Sequence, residues 1–236
     1  MVVRRLIIQV LFILDLVHMA LLTAFVNSPE ADASARAIIS MAWGLVILWV
    51  FVGGVITLRY RENIRRRVQA ITLDWRLKFV LFATLLALIE EAITTLMTNL
   101  APLFGVRMGE AFITPSPNYF EVVLFHSVIV FIPMFIGWAW LLGRYDFHPS
   151  TVFLLFGLTG TFAEWIAFGV GTPLSLAFWV FIYGLMVYLP AYSVPSDRKA
   201  KTPYLIHYVL AVGLPLACSV PVALVVSSIN QLRGVG

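Results

Sequence analysis

Residues 77–100 read LKFVLFATLLALIEEAITTLMTNL. The run is mostly apolar and long enough to cross a bilayer, which takes about 20 helical residues. Glu90 and Glu91 sit in its middle. A charged residue at the bilayer centre costs about 3 kcal/mol even on insertion-based scales. Two adjacent carboxylates therefore call for a proton, a cation, a metal or a water-filled cavity beside them. The reading of this one stretch decides the class of the whole chain.

The rest of the sequence agrees. Of 236 residues, 61% are hydrophobic and 12% are charged, with mean hydropathy +0.95. Soluble domains carry about 25% charged residues. The expected fold is thus all-α, a polytopic integral membrane helical bundle forming a single transmembrane domain over residues 1–236. Seven Trp and eight Tyr suit an interfacial aromatic belt. The single cysteine, Cys218, lies in an apolar run and excludes an intrachain disulfide or a thiolate metal cluster.

Seven apolar segments are expected as transmembrane helices, over residues 6–26, 38–58, 77–100, 122–142, 151–170, 174–192 and 206–229. They lack the period-two alternation of barrel strands. With the N-terminus cytoplasmic, thirteen Lys and Arg residues fall inside and only Arg36, Arg107 and Arg233 fall outside. That imbalance obeys the positive-inside rule. It places the C-terminus outside and the chain in the cell membrane. The first segment, at about 20 apolar residues, is longer than a signal-peptide core, so it is read as a retained span. The basic stretch Arg59–Lys78 reads as a topology-setting loop. A short interfacial helix binding anionic lipid is the alternative. Beyond the lipid bilayer, the expected partner is a small-molecule, lipid or peptide substrate, and no nucleic acid.

Depth counting extends the opening feature. Glu90 and Glu91 lie 13 to 14 residues from the inner end of their span. Glu164, His126 and His18 fall at similar depth on three other spans, about 20 Å from the inner edge at 1.5 Å per residue. On the third span Glu90, Thr94 and Thr98 form one rail, and Glu91, Thr95 and Asn99 a second beside it, a polar path rising toward the outer face. On the fifth, Gly157, Gly160, Thr161 and Glu164 share a face, so a neighbouring helix can approach closely and Glu164 points inward. Asp15 and His18 are three apart and within reach of each other. Pro133 is expected to kink the fourth span. The outer segment 101–120, rich in Pro and Gly, reads as a connector above this layer or as a lid.

No HExxH, GxSxG or P-loop motif is present, and no mid-span lysine that could carry a retinal Schiff base. Glu90-Glu91 followed by His126 resembles the CAAX-protease and bacteriocin-processing family of intramembrane glutamate proteases. Thr95 stands where that family's first motif has Arg, and Val122 stands where its second has Phe. Its third motif has no counterpart here, so the family is not assigned.

Three functions remain. One is a membrane-embedded hydrolase or cyclase on a lipidic or peptide substrate, with Glu90, Glu91, His126 and Glu164 as catalytic groups. Glu91, His126 and Glu164 would then be ligands for a divalent metal such as zinc. Another is a small proton- or cation-coupled transporter using the same layer, since two close carboxyls cannot both ionise easily. The third is an accessory or scaffold subunit whose polar layer joins helices.

Overall fold

The computed structural model describes residues 2–29, 31–169 and 174–234. Among them there is no strand, only one isolated bridge between Tyr145 and Lys201. The helices are α1 (Val2–Val26), α2 (Ala33–Leu45), α3 (Gly54–Ala70), α4 (Trp75–Asn99), α5 (Tyr119–Phe125), α6 (Val128–Leu142), α7 (Pro149–Phe168), α8 (Ser175–Tyr192) and α9 (Leu205–Leu232). Wide π-helical turns over Val46–Gly53 join α2 to α3 without a break. Six helices are then long and apolar enough to cross a membrane, and seven if the bent pair α5–α6 counts as one.

Their starts follow local chemistry. Asp32 accepts from the Ala35 amide at 2.6 Å, Asp74 from Arg76 at 2.9 Å and Asn118 from Phe120 at 3.0 Å. Each supplies an acceptor for an amide the first turn leaves orphaned. His148 does the same for Ser150 at 3.1 Å, with Pro149 in the first turn, where its missing N–H costs nothing.

Two expectations need correction. The Arg59–Lys78 stretch is not mainly a loop. The helix runs unbroken from Ala33 to Ala70, roughly 57 Å at 1.5 Å per residue, longer than the ~30 Å hydrocarbon core. Only residues 71–74 turn the chain. The basic end of α3 docks on the end of α8. Arg61 donates to the Tyr188 hydroxyl at 3.2 Å, Gln69 to the Ser193 carbonyl at 3.2 Å, and Arg61 lies over the Tyr192 ring. Pro133, in turn, sits inside an uninterrupted α6, and the 45° bend falls before it, at His126–Ser127. There the Val122 carbonyl accepts from the His126 amide at 3.2 Å, the Ser127 amide at 3.0 Å and the Ser127 hydroxyl at 3.2 Å. Capturing that carbonyl ends α5. Val170, the outer end of the fifth expected span, lies outside the described residues.

Several basic residues make their contacts at one end of the bundle. Arg4 donates to Thr151, Arg198 to the Leu142 carbonyl and Asp146, and Lys78 to the Gln69 carbonyl. At the other end Arg233 pairs with Glu121 at 2.5 Å, and Asn230 donates to the Phe125 carbonyl at 2.8 Å.

Between the ends, α8 is the most enclosed of the six long apolar helices, with α7 and α4 packed against it. α7 and α8 cross very closely because Gly157, Gly160 and Gly184 present no side chain at the contact. A Cβ at Gly157 would lie 2.7 Å from the Val180 backbone, and one at Gly184 would lie 2.8 Å from the Phe153 carbonyl oxygen. This is the close approach small residues permit between apolar helices.

Candidate functional site

α4 brings both adjacent glutamates into the core. Glu90 is 4% exposed and Glu91 7%. Although 100° apart on the helix wheel, both are covered, because α4 has α8 on one side and α5–α6 on another. Glu91 accepts from the Thr94 hydroxyl at 3.3 Å, and the Ser127 hydroxyl at the α5–α6 break stands within reach of the same carboxyl group. The Thr94 hydroxyl also lies 3.1 Å from the Glu91 carbonyl. On the α8 side, Glu164 of α7 accepts from the Tyr183 hydroxyl. The charges of Glu91 and Glu164 both reach Glu90, and Tyr183 is in electrostatic reach of all three carboxyl groups. The site is thus Glu90, Glu91, Glu164 and Tyr183, with Thr94 and Ser127 as hydroxyl neighbours.

Gly160 decides where Tyr183 goes. A Cβ there would lie 2.1 Å from Cδ2 of the tyrosine ring, so the glycine is the slot through which the ring reaches Glu164, four residues on. Tyr119, before the break, donates to the Leu88 carbonyl at 3.0 Å, within electrostatic reach of Glu91. Sequence reasoning missed Tyr183, Ser127 and Tyr119. For Tyr183 a signal existed: it lies at the centre of its span, away from any interfacial belt.

Other expected residues lie elsewhere. His126 does not join the glutamates; the charges within its reach are Glu121 and Arg233. The bend displaces it from the depth a straight helix gives. Asp15 is fully buried, but neither its carboxyl oxygens nor His18 Nδ1 has a hydrogen-bond partner, so the expected contact between them is not made. Neither is among the charges that reach Glu90, Glu91 or Glu164. Among the described residues, no group of three or more His, Cys, Asp or Glu side chains is disposed to hold a metal ion. The expected set of Glu91, His126 and Glu164 is therefore not assembled.

The polar rails above the glutamates are buried up to Thr98, and the Thr95 hydroxyl has no partner. Their upper end is tied to the outer loop. The Thr98 hydroxyl accepts from the Ile113 amide at 3.2 Å and lies 3.0 Å from the Thr114 hydroxyl, while Asn99 donates to the Pro117 carbonyl at 2.9 Å. Ala101, Val106 and Ala111 pack with Ala37, Met41 and Met97 in a small second core. Gly105 and Gly109 turn the chain there with φ near +85°, a region open to glycine. The loop is a folded plug over α4. Replacing Thr98 with valine takes the acceptor from the half-buried Ile113 amide, while the Thr114 hydroxyl keeps the Ser116 carbonyl, a cost of about 1 kcal/mol. Faster hydrogen exchange at Ile113 and Thr114, with the rest of the bundle unchanged, is the expected result.

The five ion pairs among the described residues are Arg65–Glu62 within α3, Arg76–Asp74 and Arg233–Glu121 at or beside helix ends, and Arg107–Glu110 and Arg198–Asp146 in connecting segments. None involves Glu90, Glu91 or Glu164. No protein-family model, no curated protein and no solved structure matches this chain, so the chemistry of the site is argued from its own geometry.

Proposed function

We propose that the chain is a multi-pass carrier of the cell membrane that couples solute movement to a proton held among Glu90, Glu91 and Glu164. The N-terminus is cytoplasmic in this reading, because the basic end of the bundle then faces inside. The observation that carries it is the gathering of three carboxyl groups from two helices with no cation beside them. Uncompensated charge in a dry interior costs several kcal/mol per ion, so such a group must take up protons or a cation. Acids facing a bundle interior are the usual proton relays of pumps and transporters. The Tyr183 hydroxyl on Glu164 and the Thr94 and Ser127 hydroxyls beside Glu91 can hand a proton on at the two sides of the cluster. The buried Thr94, Thr95 and Thr98 lead outward, and the folded loop closes that route in this conformation. Exchange with the outside then requires the plug to lift, as alternation between two states demands.

The enzyme reading asks for His126 and a divalent metal beside the glutamates. His126 belongs instead with Glu121 and Arg233, so the carrier reading takes precedence.

The test is a pH jump on proteoliposomes adsorbed to a solid-supported membrane. The wild-type chain should give a transient charge movement, and Glu91→Gln should reduce it more than tenfold without changing the thermal melt. Absence of any wild-type current, or an undiminished current in Glu91→Gln, overturns the proposal. A change in stability alone points to the scaffold reading.

A further inference from the structure

A second cavity opens on the α1 side of the α7–α8 pair, lined by none of the carboxyl groups, and it is independent of the transport reading. Between α1 and α7, floored by α8, runs a cavity of about 560 Å³, within the ~300–1,000 Å³ range of small-molecule sites. Its walls are apolar: Ile7 and Leu11 on α1, Leu154 and Leu158 on α7, Val180 on α8. Its polar lining is concentrated at the basic end, where Arg4 donates to the Thr151 hydroxyl at 3.3 Å. α1 and α7 both start at this end, so the groove deepens along parallel walls. Arg4 to Leu11 and Thr151 to Leu158 each span seven residues, about 10 Å of helix.

Arg4 has no carboxylate. None of the ion pairs among the described residues includes it, and its one hydrogen bond is to a neutral hydroxyl. A guanidinium presents five donors in a planar fork suited to phosphate. A cation at the rim of an apolar slot between transmembrane helices matches an amphiphile with an anionic head and a hydrocarbon tail. Basic pockets of this kind, on the cytoplasmic side, take anionic lipid head groups. On the α1 wall, Val3 is 68% exposed and Ile7 43%, while Arg4 and Leu11 are half-buried.

We propose that this groove seats one acyl chain of an anionic glycerophospholipid from the leaflet at the basic end, with Arg4 holding its phosphate. The lipid completes the contact of α1 with α7, which protein atoms leave open. Thr151 orients the guanidinium, and the apolar walls select for a chain rather than a free phosphate.

The experiment uses the full chain purified in mild detergent, with adducts quantified by native mass spectrometry. The probes are dioleoyl-phosphatidylglycerol and dioleoyl-phosphatidylcholine, which share tails and differ in head charge. Wild type should prefer the anionic lipid about fivefold, the worth of one basic residue near a membrane surface. Arg4→Gln should abolish that preference. Leu158→Trp, which fills the slot, should weaken both lipids. Arg5→Gln should change neither, because Arg5 is exposed and does not line the groove. Thermal melts without lipid separate loss of binding from loss of fold. Equal binding of the two lipids by wild type, a preference retained in Arg4→Gln, or displacement of the lipid by glycerol phosphate at equal concentration overturns the proposal.

Discussion

Gly160→Ala should destabilise the protein by about 2 kcal/mol, within the range for overpacked cores, and pull Tyr183 away from Glu164. At Gly213, where a Cβ would meet nothing within 4 Å, the same substitution should stabilise by up to ~1 kcal/mol, because alanine is the better helix former. The difference in sign comes from space alone. A Cβ at Gly160 would lie 2.1 Å from Tyr183 Cδ2 and 2.8 Å from the tyrosine Cβ. Contact at the base of the side chain leaves no small rotamer adjustment that avoids it. The ring must swing out, and its hydroxyl is the donor to Glu164. At Gly157 the obstacle is the Val180 backbone, so Gly157→Ala should cost at least as much by forcing α8 outward. Thermal melts of the three variants check the order. A Tyr183→Ala background checks the cause: with the ring gone, the penalty for Gly160→Ala should shrink, the non-additivity expected of residues in contact. If Gly160→Ala melts like the wild type, α7 and α8 do not cross here as described.

That crossing also explains what the sequence could and could not reveal. The shared face of Gly157, Gly160 and Glu164 was legible because helical spacing places small residues and an acid on one side. What fills the slot was not, since the partner is chosen by how two helices cross, and nothing local in α8 singles out Tyr183 except its depth. The spans themselves were legible from their apolar runs. The helix through Arg59 to Ala70 was not, because a hydropathy reading stops at charge, although Arg, Glu and Gln are good helix formers. Pro133 was a misleading signal. Its missing amide leaves α6 continuous, while Ser127 ends α5 by taking the Val122 carbonyl with both its amide and its hydroxyl. Serine and its neighbours compete with the helix in this way without any glycine or proline to mark the place. Depth counting then failed for His126 for the same reason, since it assumes one straight rod from residue 122 to 142. Glu90, Glu91 and Glu164 lie on α4 and α7, which have no such break.

A lysine should be tolerated at position 90 and ruinous at position 134. Met134 is 2% exposed, and methionine is close to lysine in length. Met134→Lys therefore changes charge more than shape, and Met134→Leu, expected to cost under ~1.5 kcal/mol, controls for packing. The ammonium would be enclosed by α6 and its neighbours, about 12 Å from the C-terminal end of α6, facing the core rather than lipid along which it could snorkel. An unpaired buried ion costs several kcal/mol, a large share of the ~5–15 kcal/mol that holds a typical domain together. Little folded protein should survive size-exclusion chromatography. Glu90→Lys introduces the same charge into the same core, but beside Glu91, Glu164 and the Tyr183 hydroxyl. There it supplies the cation those carboxyl groups lack, so most of the wild-type yield should remain. The same substitution should silence the pH-jump current, because a fixed ammonium occupies the place of the exchangeable proton. Equal loss of folded protein in both variants would mean that the carboxyl groups already have a counter-ion, and the proton-carrier reading would lose its support. Survival of Glu90→Lys with its current gone would separate the two roles of the cluster, holding the helices together and moving charge between them.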